Sequence, residues 1–219
     1  MENKQIRKKA SDICKKNSGI LVLISLIYIV ITTLTSHSIQ IGESKFTVAF
    51  STLSVAGLFI TGPMIYGFIN VIVINYSGNK PAVKDLFGGF QYFWKLFVLH
   101  LLVSIYTILW SLLFIVPGII KGLSYSKAFH IFYDDPSLSP RECIKQSMEL
   151  MDGNKWKYFC LIFGYIGWFI LCALTLGILT LWVTPKVETA AYIFYEELIK
   201  NEKEETEDEM AALQEEIKY

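Results

Sequence analysis

Long stretches without a single charged residue alternate along this chain with short polar ones, and the alternation predicts membrane-spanning helices. Ser18 to Ser36 carries no charge. At about 1.5 Å per helical residue it is long enough to cross roughly 30 Å of hydrocarbon, and it predicts the first span. The polar segment 36–46 then predicts the first outer loop. Phe46 to Ser77 is again uncharged and longer than one span needs. It predicts one long second helix with an interfacial start. Gly62-Pro63 should kink it, because proline removes a backbone donor and neighbouring helices can satisfy the freed carbonyl.

Residues 77–95 return to charge. Gly78 and Pro81 mark a turn. Phe87, Phe90, Tyr92, Phe93 and Trp94 suit a helix in the headgroup region, a placement compatible with packing against the bundle. Leu96 to Ile120 has no formal charge and predicts the third span, broken at the outer face by Pro117-Gly118. A fourth span runs back through residues 119–133. It carries Lys121, Lys127 and His130, which makes it the weakest span by hydropathy. Asp134-Asp135-Pro136 ends it.

Ser139-Pro140-Arg141-Glu142 reads as a helix start, with Ser as cap, Pro in the first turn and Glu completing a capping box. Ile144, Met148 and Met151 share one face of that helix, and Lys145, Glu149 and Asp152 point elsewhere. The pattern predicts a short cytoplasmic amphipathic helix between spans four and five, stopped by Gly153. Tyr158 to Pro185 is uncharged, too long for one span and too short for two. A tight outer hairpin at Thr175-Leu176-Gly177 leads to a sixth helix from about Ile178 to Ile199, kinked near Pro185. The alternative is five spans followed by an outer amphipathic segment. The fold class is thus all-α: a polytopic transmembrane helical bundle of about six spans.

Charge orients the bundle. Residues 1–17 form a basic segment containing Lys4, Arg7, Lys8, Lys9, Lys15 and Lys16, with spacing that allows an amphipathic helix on an anionic membrane surface. The simpler reading is a topology determinant held in the cytoplasm. Lys80, Lys84, Lys95, Arg141, Lys145, Lys155 and Lys157 fall in the proposed inner segments, and Lys45 is the one Lys or Arg in the proposed outer loops. This bias places both termini in the cytoplasm of a multi-pass cell-membrane protein. The domains are the basic segment 1–17, a single membrane domain 18–199 and an acidic tail 200–219. The tail is expected to be mostly solvated, with a short helix through MAALQEEI as the alternative. No small-residue cleavage site follows the first apolar run, which predicts an uncleaved signal anchor.

Composition narrows the classes further. The chain is 53% hydrophobic and 18% charged, against about a quarter charged in soluble domains. No basic stretch alternates with aromatics as a nucleic-acid groove requires. Cys14, Cys143, Cys160 and Cys172 lack the paired spacing of a metal site. Neither a zinc motif, a nucleophile elbow nor a phosphate loop is present, so no enzyme, cofactor or metal is expected. Asp134-Asp135 reads as a cap or turn rather than a cation site.

Ionisable residues inside a membrane are costly and are functional candidates by default. They are Lys121, Lys127, His130, Lys186 and Glu188, with His100, Asn70 and Asn75 as further interior polar groups. The antiparallel path puts Lys127 and Glu188 at similar depth and predicts a buried ion pair, whereas Lys121 and Lys186 lie nearer the outside and can snorkel. The competing reading is that these groups only hold helices together.

GPMIYGF (62–68), DLFGGF (85–90), FIVPGIIKGLSYSKAFHIFYDDP (114–136), SPRECIKQSMELMDGNKWKYF (139–159) and IGWFILCALTLGILTLWVTPKVETAAYIFYEEL (166–198) resemble the bacterial integral-membrane family DUF975. The resemblance covers nearly all of the chain beyond the first helix except the tail. It implies an all-helical bundle, usually from Gram-positive bacteria, and no known reaction. The family is also distantly similar to the membrane domain preceding some bacterial glycerophosphodiester phosphodiesterases. This chain has no such catalytic domain, so that activity is not carried over.

Two functional classes remain. The first, which the surface elements favour, is a non-enzymatic membrane module that binds lipids or a membrane-protein partner. The second is a small transporter or permease subunit using the intramembrane Lys and Glu residues with Gly/Pro-broken helices.

Overall fold

A computed structural model describes residues 2–36 and 55–217. Every element among them is helical: α1 (Asn3–Lys16), α2 (Ser18–Ser36), α3 (Val55–Tyr76), a 3₁₀ helix (Val83–Tyr92), α4 (Phe93–Leu113), α5 (Ile115–Tyr125), α6 (Ala128–Asp134), α7 (Pro140–Leu150), α8 (Lys155–Phe163), α9 (Ile166–Leu174) and α10 (Thr180–Ile217). The expected outer loop after Ser36 and the interfacial start of the second helix lie outside the described residues. Three stretches are long and apolar enough to cross a membrane: Gly57–Tyr76, Val83–Leu113 and Lys155–Leu174. The bent pair Asn3–Lys16 and Ser18–Thr33 makes a fourth if it counts as one span.

α1 turns 98° away from α2. Asn75 fastens the corner, accepting from Asn17 Nδ2 at 2.8 Å and donating to the Ile13 carbonyl at 3.5 Å. The apolar face of α1 (Ile6, Ala10, Cys14) is buried against α10 and α8. Asn3 Nδ2 reaches the Lys157 carbonyl at 3.0 Å, and the Cys14 thiol lies 3.3 Å from the Thr189 hydroxyl. The hydrophobic side of this helix is therefore occupied by the protein itself, and its lysines face outward.

The aromatic segment after the 77–82 turn is a ten-residue 3₁₀ helix, long for a geometry usually limited to three or four residues. It packs along α3. A Cβ on Gly67 would stand 1.6 Å from the Leu86 carbonyl oxygen, and one on Gly89 would stand 2.1 Å from that of Pro63. Asn70 Nδ2 donates to the Asp85 carbonyl at 3.0 Å. Glycine is needed where two backbones approach this closely. Packing against the bundle, one of the two compatible expectations, thus describes one edge of this segment, while Phe87 and Phe90 remain exposed on the other.

The break after α4 falls at Phe114, which is extended (φ −158°, ψ 144°), rather than at Pro117-Gly118. Pro117 sits in the first turn of α5, where its missing N–H has no intrahelical partner to lose. A tight turn is present at the expected 175–177. Leu176 and Gly177 both have positive φ (52° and 84°), and the Leu176 side chain is 94% exposed.

α7 carries the expected capping box: Ser139 Oγ accepts from the Glu142 N–H at 3.3 Å, and Glu142 Oε2 accepts from the Ser139 N–H at 2.8 Å. These bonds hold the Glu142 carboxyl below the usual carboxylate range. Cys143, Ile144, Ser147 and Leu150 of α7 are buried. α10 runs unbroken through Pro185 and on through the acidic segment to Ile217.

Candidate functional site

α5 and α6 do not form one continuous helix. They part at Ser126–Lys127, and Lys127 is the N-cap of α6. Ser147 of α7 fills the break: its Oγ donates to the Ser124 carbonyl at 2.7 Å and accepts from the Lys127 N–H at 3.1 Å. One buried hydroxyl thereby satisfies both a carbonyl and an N–H at the break.

The Lys127 side chain is fully buried. Its ammonium donates to the Ala191 carbonyl at 2.9 Å and lies 3.9 Å from the centroid of the Tyr158 ring. The expected ion pair with Glu188 is not formed as a contact; the acceptor is a backbone carbonyl one turn further along α10.

Glu188 opens instead into a cavity of about 360 Å³ at the centre of the bundle. Tyr28 of α2, Phe68 of α3, His100 and Ser104 of α4, Tyr125 of α5, Phe129 and His130 of α6, Tyr158 of α8 and Glu188 of α10 all line it. Tyr28 and Phe68 face one another with centroids 4.8 Å apart. His130 is 6% exposed, and its Nδ1 has no hydrogen-bond partner. Its ring packs beside Tyr195 (5.3 Å), whose hydroxyl donates to Asp134 Oδ2 at 2.6 Å.

The structure thus brings together His130 and Glu188, adds His100, and sets Lys127 behind the Tyr158 ring. It leaves Lys121 and Lys186 apart. Each of these lies 5.2 Å from a tryptophan ring, Trp110 and Trp168 respectively. Asn70 and Asn75 serve as clamps between elements; the Asn70 Oδ1 accepts from Tyr133 OH at 3.2 Å. Sequence reasoning missed the tyrosines of the cavity. Tyr28 and Tyr125 sit in apolar runs where tyrosine is common, and their neighbours come from distant elements. Among the described residues no group of three or more His, Cys, Asp or Glu side chains is arranged to hold a metal.

An all-helical protein with several helices able to cross a membrane and, at its centre, a mostly aromatic cavity holding a few polar groups is the class that fold and site define. Residues 1–121 and 114–202 match the family model described as protein of unknown function (DUF975), and the chain belongs to that family. No curated protein and no solved structure matches it.

Proposed function

We propose that this is a six-span protein of the cell membrane with both termini in the cytoplasm, acting as a non-enzymatic module that binds anionic lipid headgroups through α1. The observation carrying this reading is a surface pocket of about 590 Å³ lined by Lys8, Lys9 and Lys16 with Gln5, Asp12, Asn75 and Tyr76. Lys9 Nζ is oriented by the Tyr76 hydroxyl at 3.1 Å. Because α1 lies across the direction of α2 and its apolar face is already buried, the basic face is what it presents at the membrane surface. A phosphate-bearing headgroup is the complementary ligand. α7 is the cytoplasmic amphipathic helix of this arrangement, and a membrane-protein partner on the same side is compatible with it. Distant kinship with a phosphodiesterase membrane domain would fit a module without chemistry of its own.

The test is native mass spectrometry of the detergent-purified protein with phosphatidylglycerol and phosphatidylcholine. Phosphatidylglycerol should be retained selectively. Changing Lys8, Lys9 and Lys16 together to Gln should weaken retention on the order of a hundredfold, at about 1 kcal/mol per lysine. Equal retention of both lipids, or an unchanged triple variant, refutes the reading. A second reading, a small transporter subunit, is favoured by the central cavity and by the broken α5–α6 pair beside it.

A further inference from the structure

We propose that the central cavity is a binding site for a small organic ammonium ion. This goes beyond lipid binding at α1 and does not depend on it. Glu188 contributes the only formal charge among the described residues lining the cavity, so the lining offers a carboxylate to a monocation. Lys127 lies behind this lining rather than in it. Its ammonium is held by the Ala191 carbonyl and the Tyr158 ring, and it is not part of the lining.

The remaining surface suits the same ligand. Tyr28, Phe68, Tyr125, Phe129 and Tyr158 surround the space, and aromatic faces attract organic cations, more strongly when water is excluded. His130 supplies a second polar anchor. Its Nδ1 is buried without a partner, and a buried polar atom left unpaired is costly. In the neutral imidazole with its proton on Nε2, Nδ1 accepts a hydrogen bond from an ammonium N–H. A primary ammonium carries N–H donors for both the Glu188 carboxylate and His130 Nδ1, and its alkyl chain suits the rings. The volume lies within the range of small-molecule sites, about 300–1,000 Å³.

The test uses the full chain in mild detergent and two probes of similar size, n-butylammonium and uncharged n-butanol. Binding is measured by equilibrium dialysis and corrected for uptake by empty micelles. The amine should bind at least about tenfold more tightly than the alcohol, and Glu188→Gln should abolish that preference. His130→Phe should weaken amine binding several-fold. If Glu188→Gln does not remain monodisperse, Tyr28→Leu, which leaves every charge in place, should still weaken the amine several-fold. Equal binding of amine and alcohol by the unaltered protein overturns the proposal, as does a preference that survives Glu188→Gln. The Lys8, Lys9 and Lys16 triple variant should bind the amine normally, so failure of the lipid reading and failure of this one are separable.

Discussion

Ser147 illustrates how a single hydroxyl sustains a broken helix. It belongs to α7, yet it donates to Ser124 O and accepts from the Lys127 N–H at the α5–α6 junction. Ser147→Ala leaves both backbone groups buried and unpaired. The expected cost is about 1–3 kcal/mol for each group left without a partner, read as a lower midpoint of thermal unfolding in detergent. Ser147→Thr, which keeps the hydroxyl, should recover part of the loss if its extra methyl is accommodated. An unchanged midpoint for Ser147→Ala would show that the break is satisfied in another way. Lys127 makes the same point from the other side. Its charge and its location in a weakly apolar segment could be read directly, and they suggested Glu188 as partner. The contact went to Ala191, a residue with no ionisable side chain and therefore no signal of a polar role.

Among elements, the contact between α3 and the 3₁₀ helix depends most on residue size. Gly67→Ala would place a methyl group 1.6 Å from the Leu86 carbonyl oxygen. Backbone rather than a flexible side chain must then move, and overpacking of this kind costs about 1–3 kcal/mol or more. Gly122→Ala is the control, since its nearest neighbour would be a side-chain atom of Thr107 at 3.8 Å. Thermal unfolding should separate the two clearly; equal midpoints would mean that the two backbones are not in close contact. The helix signals themselves were legible where they are local. The capping box of α7 and the turn at Leu176-Gly177 follow from side chains within three or four residues of one another. The break at Phe114 was not legible. Pro117 is the stronger local signal, but proline is tolerated in a first helical turn, so the chain could turn three residues earlier.

At the scale of the whole molecule, the described tips at the α4–α5 and α9–α10 connections carry no charged residue. Leu112 is 83% and Leu176 94% exposed, and no charged residue lies between Lys95 and Lys121 or between Lys157 and Lys186. The opposite end carries α1, the 77–82 turn and the charged face of α7. The six-span arrangement proposed above predicts that Val116→Cys, introduced into a cysteine-free variant, reacts with a membrane-impermeant maleimide on intact cells. Ser137→Cys should react only after permeabilisation. Labelling of Ser137→Cys from outside would invert the topology, and failure to label Val116→Cys from outside would mean that the α4–α5 tip stops within the bilayer.

Hydrophobicity and charge along the chain were enough to locate the apolar stretches, the turn at 175–177 and the basic N-terminal segment. Those properties are carried by consecutive residues and depend on partition between water and an apolar phase. The same local information marked His130 and Glu188 as unusual, because charge and imidazole stand out in an apolar run. The cavity, the tyrosines that line it and the partner of Lys127 were decided only when seven helices packed together. The acceptor of a buried donor is whichever group packing brings within about 3 Å, and residues as far apart as Tyr28 and Glu188 carry no mark of their proximity in one sequence.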